Sequence, residues 1–259
     1  MKRVVIASRY KKNPTLVTFL ENLPDSFNQE GKILHDERNI IKEFSIANQK
    51  LVVKCYKQPL LIQRFIYSFI RKTKAHRAYL NANRLRKRGV DTPEGIAFIE
   101  VWHKGLFSDG YLVTDVNNDS PIANLLHQES GFCKVLAEQF AAFALELHMK
   151  GILHHDLNST NVLYREEESG RYHFSVIDIN RMKVYRKGVL PTKDDCLKNL
   201  TRFTWDYDLF EFVLTAYAKK RNWDVADTLE RALKLKKRFE TNRHRKKSFF
   251  KLFKSKSSS

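Results

Sequence analysis

Apolar and polar positions change their period part-way along the chain. In the first half the apolar residues come in short β-branched runs. Ile40-Ile41-Lys42-Glu43-Phe44-Ser45-Ile46 and Leu51-Val52-Val53-Lys54-Cys55-Tyr56, separated by the turn-like Asn48-Gln49, predict two strands. Ile96 to Trp102 and Gly110 to Val116 predict two more. Between these pairs, Lys74 to Arg88 reads as a helix, ended by Gly89 as a C-cap with Pro93 beyond it. Past residue 120 the repeat lengthens: Val135, Leu136, Phe140, Phe143, Ala144 and Leu147 predict an amphipathic helix over 132–149. Two brief strands follow, around Val162-Leu163-Tyr164 and Phe174-Ser175-Val176-Ile177, and 194–239 is helical by pattern. Strands first and helices later predict an α+β fold with two unequal lobes. The expected division is a strand-rich N-lobe over 1–116, a helical C-lobe over 117–235 and a flexible or membrane-associated tail over 236–259.

Composition narrows the class. With 259 residues, 42% of them hydrophobic, the chain can bury a core, and 9 Gly and 6 Pro exclude a collagen-like or low-complexity polymer. Cys55, Cys133 and Cys196 have no CxxC spacing, which argues against a disulfide framework and a zinc ribbon. The run Val4-Val5-Ile6-Ala7 is too short for a signal peptide. Leu60 to Ile70 is short and contains Arg64, so no membrane-spanning segment is predicted. These features lead to the expectation of a soluble protein in a reducing, intracellular compartment.

Charge is distributed unevenly. The formal net charge is +18, yet residues 57–90 carry ten Lys/Arg and no acid, and 234–259 carry eleven against Glu240 alone. These segments contribute +10 each, leaving −2 for the rest of the chain. Two basic patches on a nearly neutral body predict a polyanionic partner. The tail from Arg243 to Lys254 interleaves cations with Phe249, Phe250 and Phe253. That pattern suits an anionic membrane surface, a single-stranded nucleic acid or a solvated tail, and the tail by itself leaves the three open.

The chemistry gathers after the amphipathic helix. His154-His155-Asp156-Leu157-Asn158-Ser159-Thr160-Asn161 contains His-x-Asp-Leu-x-x-x-Asn, the catalytic-loop spacing of kinase-like phosphotransferases. Downstream, Asp178-Ile179-Asn180 closes an apolar strand where a kinase carries Asp-Phe-Gly. Phosphoryl transfer needs a carboxylate near the attacking hydroxyl and hard oxygen ligands for Mg²⁺. Asp156 is the candidate base or orienting group; Asn161 and Asp178 are candidate metal ligands. Lys54 stands where a lysine reaches the α- and β-phosphates. His154 reads as structural, and adjacent His154 and His155 point apart on extended backbone, which argues against a metal site. Adenine is expected near Thr114-Asp115-Val116, with Asp115 and Val116 offering backbone groups.

His-x-Asp-Leu-Asn-x-x-Asn, Ile177-Asp178-Ile179-Asn180-Arg181, and Arg38-Asn39-Ile40-Ile41-Lys42 with Val52-Val53-Lys54-Cys55-Tyr56 together resemble the bacterial lipopolysaccharide-kinase family. The resemblance covers roughly residues 30–215 and is most specific over 140–181. It implies a protein-kinase-like fold, ATP with Mg²⁺, and a Kdo or heptose hydroxyl of the lipopolysaccharide inner core as acceptor. It also implies cytoplasmic work at the inner face of the inner membrane. The partners it implies are a lipid A-linked core sugar and an anionic membrane met by segments 57–90 and 234–259, with nucleic acid disfavoured. By matching position, Asp156 is the catalytic aspartate, Asn161 and Asp178 bind metal, and Lys54 binds phosphate. The chain departs from the kinase pattern in several ways. Gly31 is the one glycine ahead of Lys54, and no acid occurs from Arg71 to Arg88, leaving Asn81 as a neutral stand-in for the usual glutamate. His155 replaces an arginine, and no Ala-Pro-Glu follows Asn180. The last two departures disfavour a peptide substrate. The first two suit the competing reading, a non-catalytic module that binds polyanions.

Overall fold

The computed structural model describes residues 1–37, 39–57, 59–128 and 131–256, with side chains from Lys246 onward outside that description. Arg38 and the last part of the basic-aromatic tail, both used in the sequence reading, therefore lie outside the described residues. The chain divides into two units, Met1–Asp119 with Ser175–Met182, and Ser120–Phe174 with Lys183–Ser259.

The first unit contains β1 (Lys2–Ile6), α1 (Pro14–Ser26), β2 (Lys32–Asp36), β3 (Asn39–Ile46), β4 (Gln49–Tyr56), α2 (Leu61–Phe69), α3 (Lys74–Arg86), β5 (Gly95–His103) and β6 (Leu106–Asp115). Its strands form one antiparallel sheet in the order β1-β5-β6-β4-β3-β2. β3 and β4 join at Ala47 and Asn48, both with positive φ, placing Ile46 opposite Gln49. The turn thus lies one residue earlier than Asn48-Gln49, because a two-residue hairpin loop needs left-handed backbone at both positions to match strand twist. Alternation along β4 puts Leu51, Val53 and Cys55 into the core with Phe44, Ile96, Ile99 and Val113, and sends Lys54 to the opposite face.

The core face of the sheet is covered by α1, an element the strand pattern did not predict. Its signals are local: Asn13 accepts a hydrogen bond from the Leu16 N–H at 3.1 Å, Pro14 takes the first turn, and Leu16, Leu20 and Leu23 are all buried. Buried Lys42 donates to the carbonyls of Phe27 at 2.6 Å and Glu30 at 2.9 Å, a cation set against the end of α1. α3 is capped by Thr73, which accepts from the His76 N–H at 3.2 Å, and left-handed Gly89 follows its end as expected.

The second unit contains β7 (Ser120–Pro121), α4 (Ala123–Leu126), β8 (His127–Gln128), β9 (Gly131–Phe132), α5 (Lys134–Met149), β10 (Ile152–Leu153), β11 (Val162–Glu166), β12 (Tyr172–Val176), β13 (Lys183–Val184), α6 (Lys193–Leu200), α7 (Tyr207–Lys220) and α8 (Val225–Lys256). α5 buries Leu136, Phe140, Phe143, Ala144 and Leu147, whereas Val135, assigned to the same stripe from its spacing, is exposed. Phe140 stacks on Phe203, with ring centroids 3.9 Å apart. α8 runs without a break through residue 235, where a separate tail was expected to begin. The cause is packing: buried Lys236 donates to the Thr204 carbonyl at 2.5 Å, pairs with Glu240 at 3.4 Å and lies over the rings of Trp205, Tyr207 and Phe210.

Buried His148 ties three helices together. Its Nδ1 is 2.7 Å from the Tyr217 hydroxyl and its Nε2 is 3.0 Å from Asn199 Oδ1. Burial pushes its pKa down to about 4, with the Asn199 hydrogen bond opposing the shift. Below an unfolded-state value of about 6.5 the unfolded chain takes up a proton that the fold refuses, so stability falls with pH between roughly 6.5 and 4. At pH 5 the expected penalty is about 2 kcal/mol relative to pH 7.5. Urea denaturation of wild type and His148→Gln at both pH values checks this: the variant should lose that part of the slope. An equal slope in both proteins would assign the pH response elsewhere.

Candidate active site

In the first unit the strand register positions one group of candidate residues. Lys54, on the face of β4 opposite α1, extends its ammonium to Asp178 Oδ1 at 2.7 Å, joining positions 124 apart in sequence. Both side chains are partly buried, so the pair is screened less than a surface pair. Asn180 Nδ2 donates to the same oxygen at 2.8 Å. Asp178 itself has φ 54° and ψ 43°, a left-handed conformation that Asp tolerates and that turns its carboxylate out of the strand it follows. Buried Tyr56 lies under the Lys54 ammonium, 5.4 Å from ring centroid to nitrogen. Burial and then the nearby Asp178 charge raise the Tyr56 pKa, so the phenol stays protonated.

The α3 position expected to offer Lys54 a neutral acceptor is used differently. Buried Asn81 donates from Nδ2 to the Ile179 carbonyl at 2.7 Å, and Arg77 donates to the Asn180 carbonyl at 3.1 Å. α3 therefore holds the backbone of the Asp178 segment, while Asp178 takes the ion-pairing role. With no acid between Arg71 and Arg88, this is the arrangement that neutralises the lysine. Of the residues expected near adenine, Asp115 ends β6 and accepts from the Glu94 N–H at 2.5 Å, and Val116 follows it, partly buried. Burial raises the Asp115 pKa, opposed by that backbone hydrogen bond and by Arg86.

Gly31, ahead of β2, has φ +82°, and a Cβ there would lie 2.6 Å from the Phe44 ring. It serves close packing beneath the β2–β3 hairpin rather than a glycine-rich phosphate loop.

In the second unit the loop between β10 and β11 carries a separate group of candidate residues. His154 is fully buried, and its Nδ1 accepts from the Asp156 N–H at 3.2 Å. His155 is exposed, and the segment is a turn closed by the Leu157 N–H on the His154 carbonyl at 2.9 Å rather than the extended backbone expected. Asn199 Nδ2 donates to the His154 carbonyl at 2.6 Å, while Asn199 Oδ1 meets His148, so the loop hangs from the helical core. Asn161 Nδ2 donates to the Asp156 carbonyl at 2.9 Å, and Asn158 Oδ1 accepts from the Asn161 N–H at 3.0 Å. With its amide nitrogen donating to a carbonyl, Asn161 keeps its side-chain oxygen as an acceptor, the hard donor type that Mg²⁺ would require. Asp178 offers the same donor chemistry. No cluster of three or more His, Cys, Asp or Glu side chains that could hold a metal occurs among the described residues, so protein ligands would need to be completed by phosphate or water oxygens.

Arg202 was not singled out from the sequence. Its Nη1 donates to Asp156 Oδ1 at 3.0 Å, and its guanidinium lies 4.9 Å from the Phe239 ring centroid of α8. This charge-assisted bond fixes the carboxylate rotamer. The sole local signal was an arginine shortly after α6, indistinguishable from a solvated surface cation.

Comparison with known proteins places these features. The family model described as lipopolysaccharide kinase (Kdo/WaaP) family matches residues 38–226. No curated protein sequence matches the chain. A solved structure titled "WaaP in complex with acyl carrier protein" superposes with a TM-score of 0.62 at 16% identity, covering 94% of this chain and 98% of that one. That likeness identifies the α+β architecture as the protein-kinase-like fold. A match over most of the chain, together with this fold, means that the protein belongs to the lipopolysaccharide kinase (Kdo/WaaP) family and is a phosphotransferase acting on a core-sugar hydroxyl.

Proposed function

We propose that this core-sugar kinase uses Mg²⁺-bound ATP and that its division of labour follows the two side-chain groups described above. Lys54 binds the α- and β-phosphates, and Asp178 and Asn161 supply oxygen ligands to the metal. Asp156 orients the sugar hydroxyl and accepts its proton as that oxygen bonds to the γ-phosphorus and the bond to the ADP oxygen breaks. His154 holds the loop, and the backbone of Asp115 and Val116 faces adenine. When bound, Mg²⁺ neutralises charge on the phosphate oxygens. The observation that supports this reading most is the 2.7 Å contact between Lys54 and Asp178, a cation suited to phosphate beside a carboxylate suited to Mg²⁺.

The acceptor is a glycolipid, so the enzyme works at the cytoplasmic face of the inner membrane, attached peripherally through the basic segments 57–90 and 234–259. This is supported by their charge, +10 in each segment. Mass spectrometry of core oligosaccharide from cells with and without the chain tests the activity. A phosphate-sized mass difference is expected, and identical spectra would reject it.

A further inference from the structure

α2 (Leu61–Phe69) leaves most of its large apolar side chains in solvent. Toward the sheet, Ile66 and Tyr67 are partly buried, Tyr67 edge-on to Phe107, and they share that side with polar groups: Arg64 Nε donates to the Phe107 carbonyl at 2.8 Å, and the Ser68 hydroxyl accepts from the Phe107 N–H at 2.8 Å. The other large apolar residues face away, with Leu61 70%, Ile62 78%, Phe65 55% and Phe69 66% exposed, and Leu60 and Ile70 continue the surface at both ends. A soluble helix normally buries that stripe. A nine-residue helix without a side-chain N-cap also has little stability of its own in water.

Beyond the C-terminal end of α2 lies a pocket of about 330 Å³, lined by Arg71, Lys72, Arg77 and Arg84 with Asn81 and Leu80 among its other walls. None of the four cations forms an ion pair with a carboxylate among the described residues, whereas Arg86 of the same helix reaches Asp91 and Glu94. Their mutual repulsion is visible at Arg77, whose pKa is lowered first by burial and then by Arg71, with Tyr67 opposing. Converging cations of this kind are complementary to a phosphate.

We propose that α2 and this pocket form a lipid-binding platform, in which the apolar face of α2 enters the acyl-chain boundary of an anionic bilayer and the pocket takes the phosphate of a lipid headgroup. The apolar face and the charge are contiguous in sequence, which is the pattern of an interfacial helix. The inference rests on the reading that the enzyme works on a membrane-bound glycolipid, and it names the element that engages the bilayer.

The test is flotation of the full-length protein with phosphatidylglycerol–phosphatidylethanolamine vesicles and with phosphatidylcholine vesicles. Wild type should float with the former, and Phe65→Ser/Phe69→Ser should weaken that binding by about 10-fold or more. Arg71→Gln/Arg84→Gln should remove the preference for the anionic lipid. Both variants should phosphorylate a water-soluble, de-acylated core oligosaccharide at the wild-type rate, which also reports that they fold. Wild type that fails to float would overturn the membrane reading and this inference with it. Wild type and both variants floating equally would overturn the inference alone. A melting-temperature rise with inorganic phosphate that depends on Arg71 and Arg84, with vesicle binding unaffected by them, would make free phosphate the ligand and reject the lipid assignment.

Discussion

Asp156→Ala should lower phosphoryl transfer to core oligosaccharide by about 10²–10⁴-fold, the range contributed by a positioned general base. The substitution removes the one carboxylate of the catalytic loop, whose geometry is set by Arg202 on Oδ1 and by His154 on its own N–H. ATP affinity should hardly change, because Lys54 and Asp178 belong to a separate group of contacts. Stability should also hold, since Arg202 is a partly exposed cation that water can solvate once its partner is gone. Single-turnover transfer measured alongside ATP binding checks both halves of the expectation. Turnover at the wild-type rate would remove Asp156 from the chemistry.

Asp178→Asn should lose transfer by about 10²–10³-fold, the scale of one removed electrostatic stabiliser, and should also weaken Mg²⁺-dependent nucleotide binding. Asn is the informative replacement because position 178 is left-handed, a conformation Asn accepts and Ala resists. The change keeps the shape and removes the charge that holds Lys54 at 2.7 Å. Fold stability should fall by about 1–3 kcal/mol, because the mostly buried Lys54 ammonium loses its charged partner and keeps only a neutral one. Nucleotide titrations with and without Mg²⁺ separate this outcome from that of Asp156→Ala, where the metal dependence should persist. A variant whose ATP affinity and metal dependence match wild type would end the assignment of Asp178 as a ligand.

The two substitutions also separate the catalytic reading from that of a polyanion-binding scaffold. A scaffold would keep its binding in both variants and show no transfer in wild type. The family match favours the enzyme. The missing helix acid has a structural counterpart: Asp178 pairs with Lys54 in place of a helix glutamate, and Asn81 secures the backbone at Ile179.

Much of the architecture was legible as local pattern. Period-2 alternation in Leu51-Val52-Val53-Lys54 places the lysine on the face away from α1, and the helical repeat over Leu136 to Leu147 is the buried side of α5. The His-x-Asp spacing marks a loop between two short strands, where it is found. α1 was equally legible through Asn13-Pro14 and its leucines, but the β-branched runs after residue 40 dominated the reading of the first half.

Other features were decided by tertiary packing. Lys54 and Asp178, His154 and Asn199, and Asp156 and Arg202 are partners across 124, 45 and 46 residues, and no periodicity encodes which distant side chain a charge will meet. The outward-facing apolar side of α2 is likewise a tertiary outcome, because a hydrophobic stripe read from sequence carries no information about which surface exists to cover it. By itself the sequence determined the family, most of the strands and helices and the faces on which strands present their side chains, since these follow from residue type and short-range repeat. Which of those side chains neutralise one another, and which apolar face is left to solvent, depended on long-range contacts that form only when the chain is folded.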